Sequence, residues 1–180
     1  MTSPVPPFEE LIANTVRSAV HLEMRDMYEP NDPVYLDWQT WRQDHPGAPV
    51  RDWYPADQFS DWYDLVKETV ARGVRMRRAR IVSEPVTDYI KFEHAISGKM
   101  NVPAGEEVRW LPRRRASDVA LPANDFWVFD DRLVRLHHFS GEGDLVEDEV
   151  SDDPSVLKLC VSAFEAVWER ADPHDEYQIR

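Results

Sequence analysis

An α/β fold, with a mixed sheet flanked by helices, is what this chain predicts, and three stretches carry the prediction. Phe59, Trp62, Tyr63, Val66 and Val70 mark one helical face that ends at Gly73, and residues 74–82 (VRMRRARIV) run straight on as a strand. A helix that stops at glycine and passes directly into a strand is half of an α/β unit. Residues 125–139 (DFWVFDDRLVRLHHF) read as two strands joined at Asp130-Asp131, a hairpin. After Asp152 and Pro154, the side chains of Val156, Leu157, Cys160, Val161, Phe164 and Trp168 line one face of a long final helix, able to cover a sheet.

The remaining elements follow in order. Phe8, Leu11, Ile12, Thr15 and Ala19 have helical spacing over 8–18, after a proline-rich lead-in. Val20, Leu22 and Met24 then alternate with His21, Glu23 and Arg25, the period of a half-buried strand. Residues 28–58 hold Pro30, Pro33, Pro46, Pro49 and Pro55 among Trp38, Trp41 and Trp53, and read as a surface segment with one helical turn around Val34–Trp41. Ser83 and Thr87 offer caps for a helix over 86–97, with Tyr89, Phe92 and Ile96 inward. GKMNVPAGE reads as a loop, Val108–Leu111 as a strand and Asp144–Val150 as a short further strand, while the tail after Ala171 is expected to be loose. This makes one domain over 1–180: an N-terminal helix, strand and aromatic-rich loop (1–56), an α/β core (57–171) and a loose tail (172–180).

Composition sets the bounds. Hydrophobic residues make up 42% of the 180, with seven Trp and seven Phe, enough for a sizeable core. The single cysteine, Cys160, excludes an internal disulfide, and no Cys/His spacing suits zinc. Phosphate-loop, dinucleotide and nucleophile-elbow motifs are all missing, so no metal and no cofactor are expected. MTSPVPPFEEL has the make-up of no secretory leader, and no apolar run reaches membrane-spanning length; a cytoplasmic protein is expected. The net charge is −13, unevenly spread: residues 72–115 carry 11 basic and 5 acidic side chains, a positive middle in an otherwise acidic chain. Internal pairing of the arginines explains this better than nucleic-acid binding, because an acidic protein repels a polyanion everywhere outside such a patch.

The order helix, Gly-Val strand, helix, strand, hairpin tipped by F-x-V-x-D-D and long final helix resembles one half of a phospholipase D-like domain. In that superfamily a strand of the type H-x-K-F-x-V-x-D carries the nucleophilic histidine, the phosphate-holding lysine and an aspartate that fixes local structure. Here Phe126-Trp127-Val128-Phe129-Asp130 matches the frame, and Asp130 the aspartate. The histidine's place holds Ala123 and the lysine's holds Asp125, so the resemblance implies the fold without the phosphodiesterase chemistry. The phrases SAVHLEMRDMY, RGVRMRRARIVSEPVTDY, VRWLPRRRAS, LPANDFWVFDDRLVRLHHF and SAFEAVWERA also resemble an uncharacterised actinobacterial family, a domain of unknown function often encoded beside helix-turn-helix regulators. That likeness implies a cytoplasmic regulatory role with a helix-turn-helix partner. The face-to-face packing of halves in the phospholipase D superfamily implies a homodimer.

Candidate ligand-binding residues are Glu23 and Arg25 on one strand face, Glu84 after the Arg-rich strand, and Asp125 and His138. Of these, Glu23, Arg25, Glu84 and Asp125 would converge with Ser83 outside the carboxyl ends of parallel strands, where α/β sheets place their sites. His137 and His138 are adjacent on a strand, face opposite ways and cannot share a ligand. Arg78 and Arg80, which share a face, and the triplet Arg113, Arg114 and Arg115 are the candidates for a phosphate or a partner. A strand with Arg75, Arg77, Arg78 and Arg80 must lie at an edge or have wet ends unless carboxylates pair with it. The expected function is a non-enzymatic regulatory or interaction module, acting with a helix-turn-helix regulator or sensing a small ligand. One alternative is a hydrolase with Glu84, Asp125 or His138 as general base; the other is nucleic-acid binding through the central arginines. A pocket uniting Glu23, Arg25, Glu84 and Asp125 would mark the enzyme, an apolar patch of Trp38, Trp41 and Trp53 the interaction module, and an exposed arginine stripe the nucleic-acid binder.

Overall fold

The computed structural model describes residues 5–49, 52–53 and 56–180; Pro4 of the lead-in and Pro55 of the proline-rich segment lie outside them. In chain order the elements are α1 (Phe8–Ala13), β1 (Ser18–Glu23), α2 (Pro33–Asp44), α3 (Ser60–Ala71), β2 (Arg75–Val82), α4 (Asp88–Ser97), α5 (Asn101–Ala104), β3 (Glu107–Pro112), β4 (Asp125–Phe129), β5 (Leu133–Phe139), β6 (Leu145–Ser151), α6 (Pro154–Arg170) and β7 (Asp172–Pro173). Among the described residues the strands form one sheet in the order β6-β5-β4-β1-β2-β3-β7. β1, β2 and β3 are mutually parallel and the other pairs antiparallel, so the sheet is mixed.

Local signals explain most of these boundaries. Gly73, at φ 91°, stops α3 and releases the chain into β2. Asp130 and Asp131 both take positive φ, 54° and 53°, the conformation a two-residue hairpin turn needs. Asp153, one residue beyond the expected cap, accepts from the backbone N–H groups of Ser155 (2.7 Å) and Val156 (3.3 Å), with Pro154 opening α6. Thr87 alone caps α4, because the Ser83 hydroxyl is committed to Asp26 at 2.6 Å.

Besides α5, a helical turn in the stretch expected as a loop, four expectations change. The first helix ends at Ala13, not 18, because Asp130 captures the next amides: its carboxylate accepts from Val16 (3.0 Å), Arg17 (2.7 Å) and Ser18 (2.9 Å). The proline-rich segment holds a full three-turn helix, α2, started by Asp32 as cap and Pro33 at its first position. Its Trp38 is 2% exposed and Trp53 is 7% exposed, so the expected tryptophan patch does not form. The tail is docked: β7 pairs with β3, and Tyr177 is buried, stacking on Trp110 at 5.8 Å.

The fourth concerns β2. It lies between β1 and β3, inside the sheet, so its arginines are not at an edge. On one face of the sheet, Cys160, Phe164 and Val167 of α6 pack on Val20, Leu22, Ala79, Ile81, Phe126 and Val128; each large apolar side chain fully buried there stabilises by roughly 2 kcal/mol. Arg77 points to this face, where Glu165 binds it at 2.7 and 3.1 Å. The opposite face carries two separate apolar groups. α1 and α3 cover Ala19, Met76, Trp127 and Phe129, while α2, α4 and the tail cover Val82, Val108 and Trp110. Between these groups the sheet turns polar.

Candidate functional site

Strand parity builds that polar zone. His21 and Glu23 of β1, Arg78 and Arg80 of β2, Asp125 of β4 and His137 of β5 all project from the same face, because register places His21 beside Arg78, Glu23 beside Arg80 and Asp125 beside His137. Above them lies a cavity of about 570 Å3, walled by aromatic side chains, among them Phe8 of α1, Trp62 of α3, Tyr89 of α4, and Tyr28 and Phe139 at its rim. That volume is within the range of small-molecule sites.

The floor is a buried ion network. Glu23 bridges two arginines, with Oε1 2.5 Å from Arg78 Nη1 and Oε2 2.7 Å from Arg80 Nη1. Arg78 Nε reaches Glu106 at 2.9 Å, and Arg80 Nη2 reaches Glu93 at 2.6 Å. All five residues are less than a tenth exposed. Burial opposes charge on Arg78 and Arg80, but the facing carboxylates more than offset it and hold both guanidiniums above their ordinary range. Tyr89 donates to Glu93 at 2.8 Å, and the Asn101 amide donates to Glu106 at 2.5 Å.

Asp125 is different. It accepts from the Met24 N–H at 3.0 Å and from the Tyr28 hydroxyl, and among the described residues it joins no ion pair. Burial pushes it up to about 6, with the Glu23 charge adding to the rise and the Tyr28 hydrogen bond opposing it. His21 stacks on Trp127 at 4.3 Å and faces His137 at 5.6 Å. Burial first, and for His21 the nearby Arg78 second, hold both imidazoles below their ordinary range. His137 also contacts Asp148 at 2.6 Å.

The sequence-derived candidates therefore separate. Glu23, Asp125, Arg78 and Arg80 come together, but the two arginines are bound to carboxylates and are not set out for phosphate. Arg25 lies over the Phe139 ring at 4.8 Å, outside the cavity lining. Glu84 sits at the far end of β2, accepting from Tyr177 at 3.3 Å with Arg114 beside it at 3.3 Å. His138 faces away and meets Glu149 at 3.1 Å; of this adjacent pair it is His137 that lines the cavity. Arg113 binds Asp26 and Ser83, and Arg115 binds Asp172 at 2.7 Å. The triplet pairs locally, and no continuous stripe joins it to the buried Arg78 and Arg80.

His21, Tyr28, Glu93, Asn101, Glu106 and His137 were not singled out as site residues. Two of them left a signal: His21 shares parity with Glu23, and a two-residue turn at 130–131 fixes the hairpin register that sets His137 opposite Asp125. The others arrive from α4, α5 and loops, whose placement depends on the whole fold.

The profile of a domain of unknown function, DUF6879, matches residues 6–179. The chain belongs to the DUF6879 family. Its fold is phospholipase D-like: NucT from Helicobacter pylori superposes with a TM-score of 0.50 at 12% identity, over 92% of this chain and 87% of that one. Nuc from Salmonella typhimurium, a phospholipase D family member, gives 0.48 at 10% identity, over 92% and 86%. TrmBL2, an archaeal chromatin protein, gives 0.48 at 13% identity over 91% of this DUF6879 chain, which spans about half (48%) of TrmBL2's length. No curated protein matches the sequence. Asp130 accepts from the amides of Val16, Arg17 and Ser18 and so ties the hairpin turn to the start of β1.

Proposed function

We propose that this chain is a non-enzymatic regulatory module that senses a small ligand in the cavity over β1, β2, β4 and β5, in the cytoplasm and alongside a helix-turn-helix partner. The observation that carries this reading is the 570 Å3 cavity, whose aromatic walls and polar floor are the features of a small-molecule site. Ala123 and Asp125, in place of a nucleophile and a phosphate-binding lysine, weigh against phosphodiester cleavage. The regulatory partner rests on the sequence resemblance. Paired arginines and a net charge of −13 weigh against direct nucleic-acid binding.

The test is a thermal-shift screen of a metabolite library against the natural chain and a Leu145→Trp variant. Leu145 lines the cavity mouth and is 42% exposed, so a larger ring there narrows the entrance at little cost to the core. Compounds that raise the melting temperature of the natural chain but not of the variant support the reading, and a library with no such compound overturns it. A hydrolase is the second reading, favoured by one observation: Asp125, lifted to about 6 and hydrogen-bonded to Tyr28, has the character of a general base. Turnover of a small ester or amide that Asp125→Asn abolishes would establish it.

A further inference from the structure

The cavity's charge and hydrogen-bonding balance specifies the kind of ligand, an inference that rests on the sensing role proposed above. Two arginines on its floor meet three carboxylates, Glu23, Glu93 and Glu106, and each guanidinium is bound to two of them. Asp125 adds a carboxylate with no arginine of its own, and Glu29 adds another at the rim. Among the described lining residues the charge is net negative and both arginines are already paired, while Arg25 lies over the Phe139 ring outside the lining. The unpaired buried groups of the lining include two donors, Trp62 Nε1 and Arg80 Nε, beside acceptors. Asn101, 1% exposed, lines the cavity with its Oδ1 unpartnered, and its orientation is fixed because its Nδ2 is the atom donating to Glu106. His21 Nδ1 lies 3.4 Å from Glu23 Oε1, an ion-pair distance without a hydrogen bond, and is likewise unsatisfied. Buried polar atoms without partners are rare in folded proteins, and a surplus acceptor beside a carboxylate calls for a donor. The aromatic faces of Tyr28, Tyr89 and Phe139 add the electron-rich surfaces that attract cations.

We propose that the cavity binds a small organic cation, a primary amine or amidine carried on an apolar body, with Asp125 facing the charge and Asn101 Oδ1 accepting one of its N–H groups. The apolar body lies against the aromatic wall. Asp125, not Glu23, is the recognition carboxylate, because Glu23 is shared by two guanidiniums. This assigns Asp125 a ligand-binding role at the position where the superfamily's motif places a phosphate-binding lysine: the charge selectivity of the site is inverted.

Calorimetric titration at pH 7.5 with phenethylamine, phenethyl alcohol and hydrocinnamate tests it, since the three probes share one apolar body and differ in charge. The amine is expected to bind about tenfold or more tighter than the alcohol, with the carboxylate weakest. Asp125→Asn is expected to bring amine and alcohol to equal affinity while leaving the alcohol's binding in place, and Leu145→Trp to weaken both. Equal affinities in the natural chain, or a preference for hydrocinnamate, overturn the cation assignment and leave the cavity reading standing. Binding unchanged in Leu145→Trp places the probes elsewhere and overturns the assignment. Absence of binding by all three overturns both.

Discussion

Glu23 and Asp125 are both buried carboxylates on the same sheet face, yet they have opposite effects on stability. Glu23 holds Arg78 at 2.5 Å and Arg80 at 2.7 Å, so Glu23→Ala strands two buried guanidiniums. Removing one partner of a buried pair costs roughly 3–5 kcal/mol, and urea unfolding is expected to show a loss of that size. Asp125 joins no ion pair among the described residues, and burial, only partly opposed by its hydrogen bonds and the Arg25 charge, lifts it to about 6 from an ordinary 3.8. Between those values the folded chain keeps a proton that the unfolded chain releases, so this group adds stability as pH falls through 6 and subtracts it above. Asp125→Asn is therefore expected to be more stable than the natural chain at pH 8, with the difference shrinking toward pH 4, in urea melts at the two pH values. A variant equally stable or weaker at pH 8 would show that Asp125 is better compensated than its hydrogen bonds from Met24 and Tyr28 imply.

At the scale of elements, the unexpected contributor is the C-terminal tail. β7 adds two residues to the β3 edge, Trp110 Nε1 donates to His174 at 3.2 Å, and the Val86 N–H donates to the Arg180 carbonyl at 2.8 Å. Tyr177, 6% exposed, closes the aromatic group over α4. Tyr177→Ala is expected to cost on the order of 3 kcal/mol, as buried aromatic truncations do, and to shift Trp110 emission to longer wavelength by admitting water. A loose tail would give a loss within about 0.5 kcal/mol, the range of surface substitutions. α2 repeats the lesson: Asp32 and Pro33 start it, but the burial of Tyr35 and Trp38 against Tyr89 and Phe92 keeps it in place.

For the whole molecule, pH sensitivity follows from one buried and three half-buried histidines. His21, His94, His137 and His174 are all held below the ordinary 6.5, burial being the largest cause in each, and His94 lies at about 4. A histidine kept neutral in the fold takes a proton only after the unfolded chain has done so. Its stabilising effect is complete above pH 6.5 and falls away as pH drops toward the folded value. Asp125 acts in the reverse direction over part of this range, but it is one group against four. The melting temperature is expected to fall between pH 7.5 and 5, and more steeply in Asp125→Asn than in the natural chain. A flat profile would mean that these rings are hydrated in solution.

What the sequence determined by itself is what short-range spacing encodes. The period of 3.6 at 59–70 and 156–168, the period of two at 20–25 and the turn at Asp130-Asp131 yield α3, α6, β1 and the β4–β5 hairpin, because each depends on neighbours a few residues away. Only the tertiary structure decided that an arginine-rich strand lies inside the sheet. The carboxylates that make this tolerable are far away in sequence: Glu23 is 55 residues before Arg78, and Glu106 is 28 after it. Strand order brings them together, and no local pattern contains strand order. The same reason explains why His137 replaced His138, why Glu84 left the group and why the tail closed over Trp110. Which face a side chain takes is local, but what lies across from it is a property of the assembled sheet.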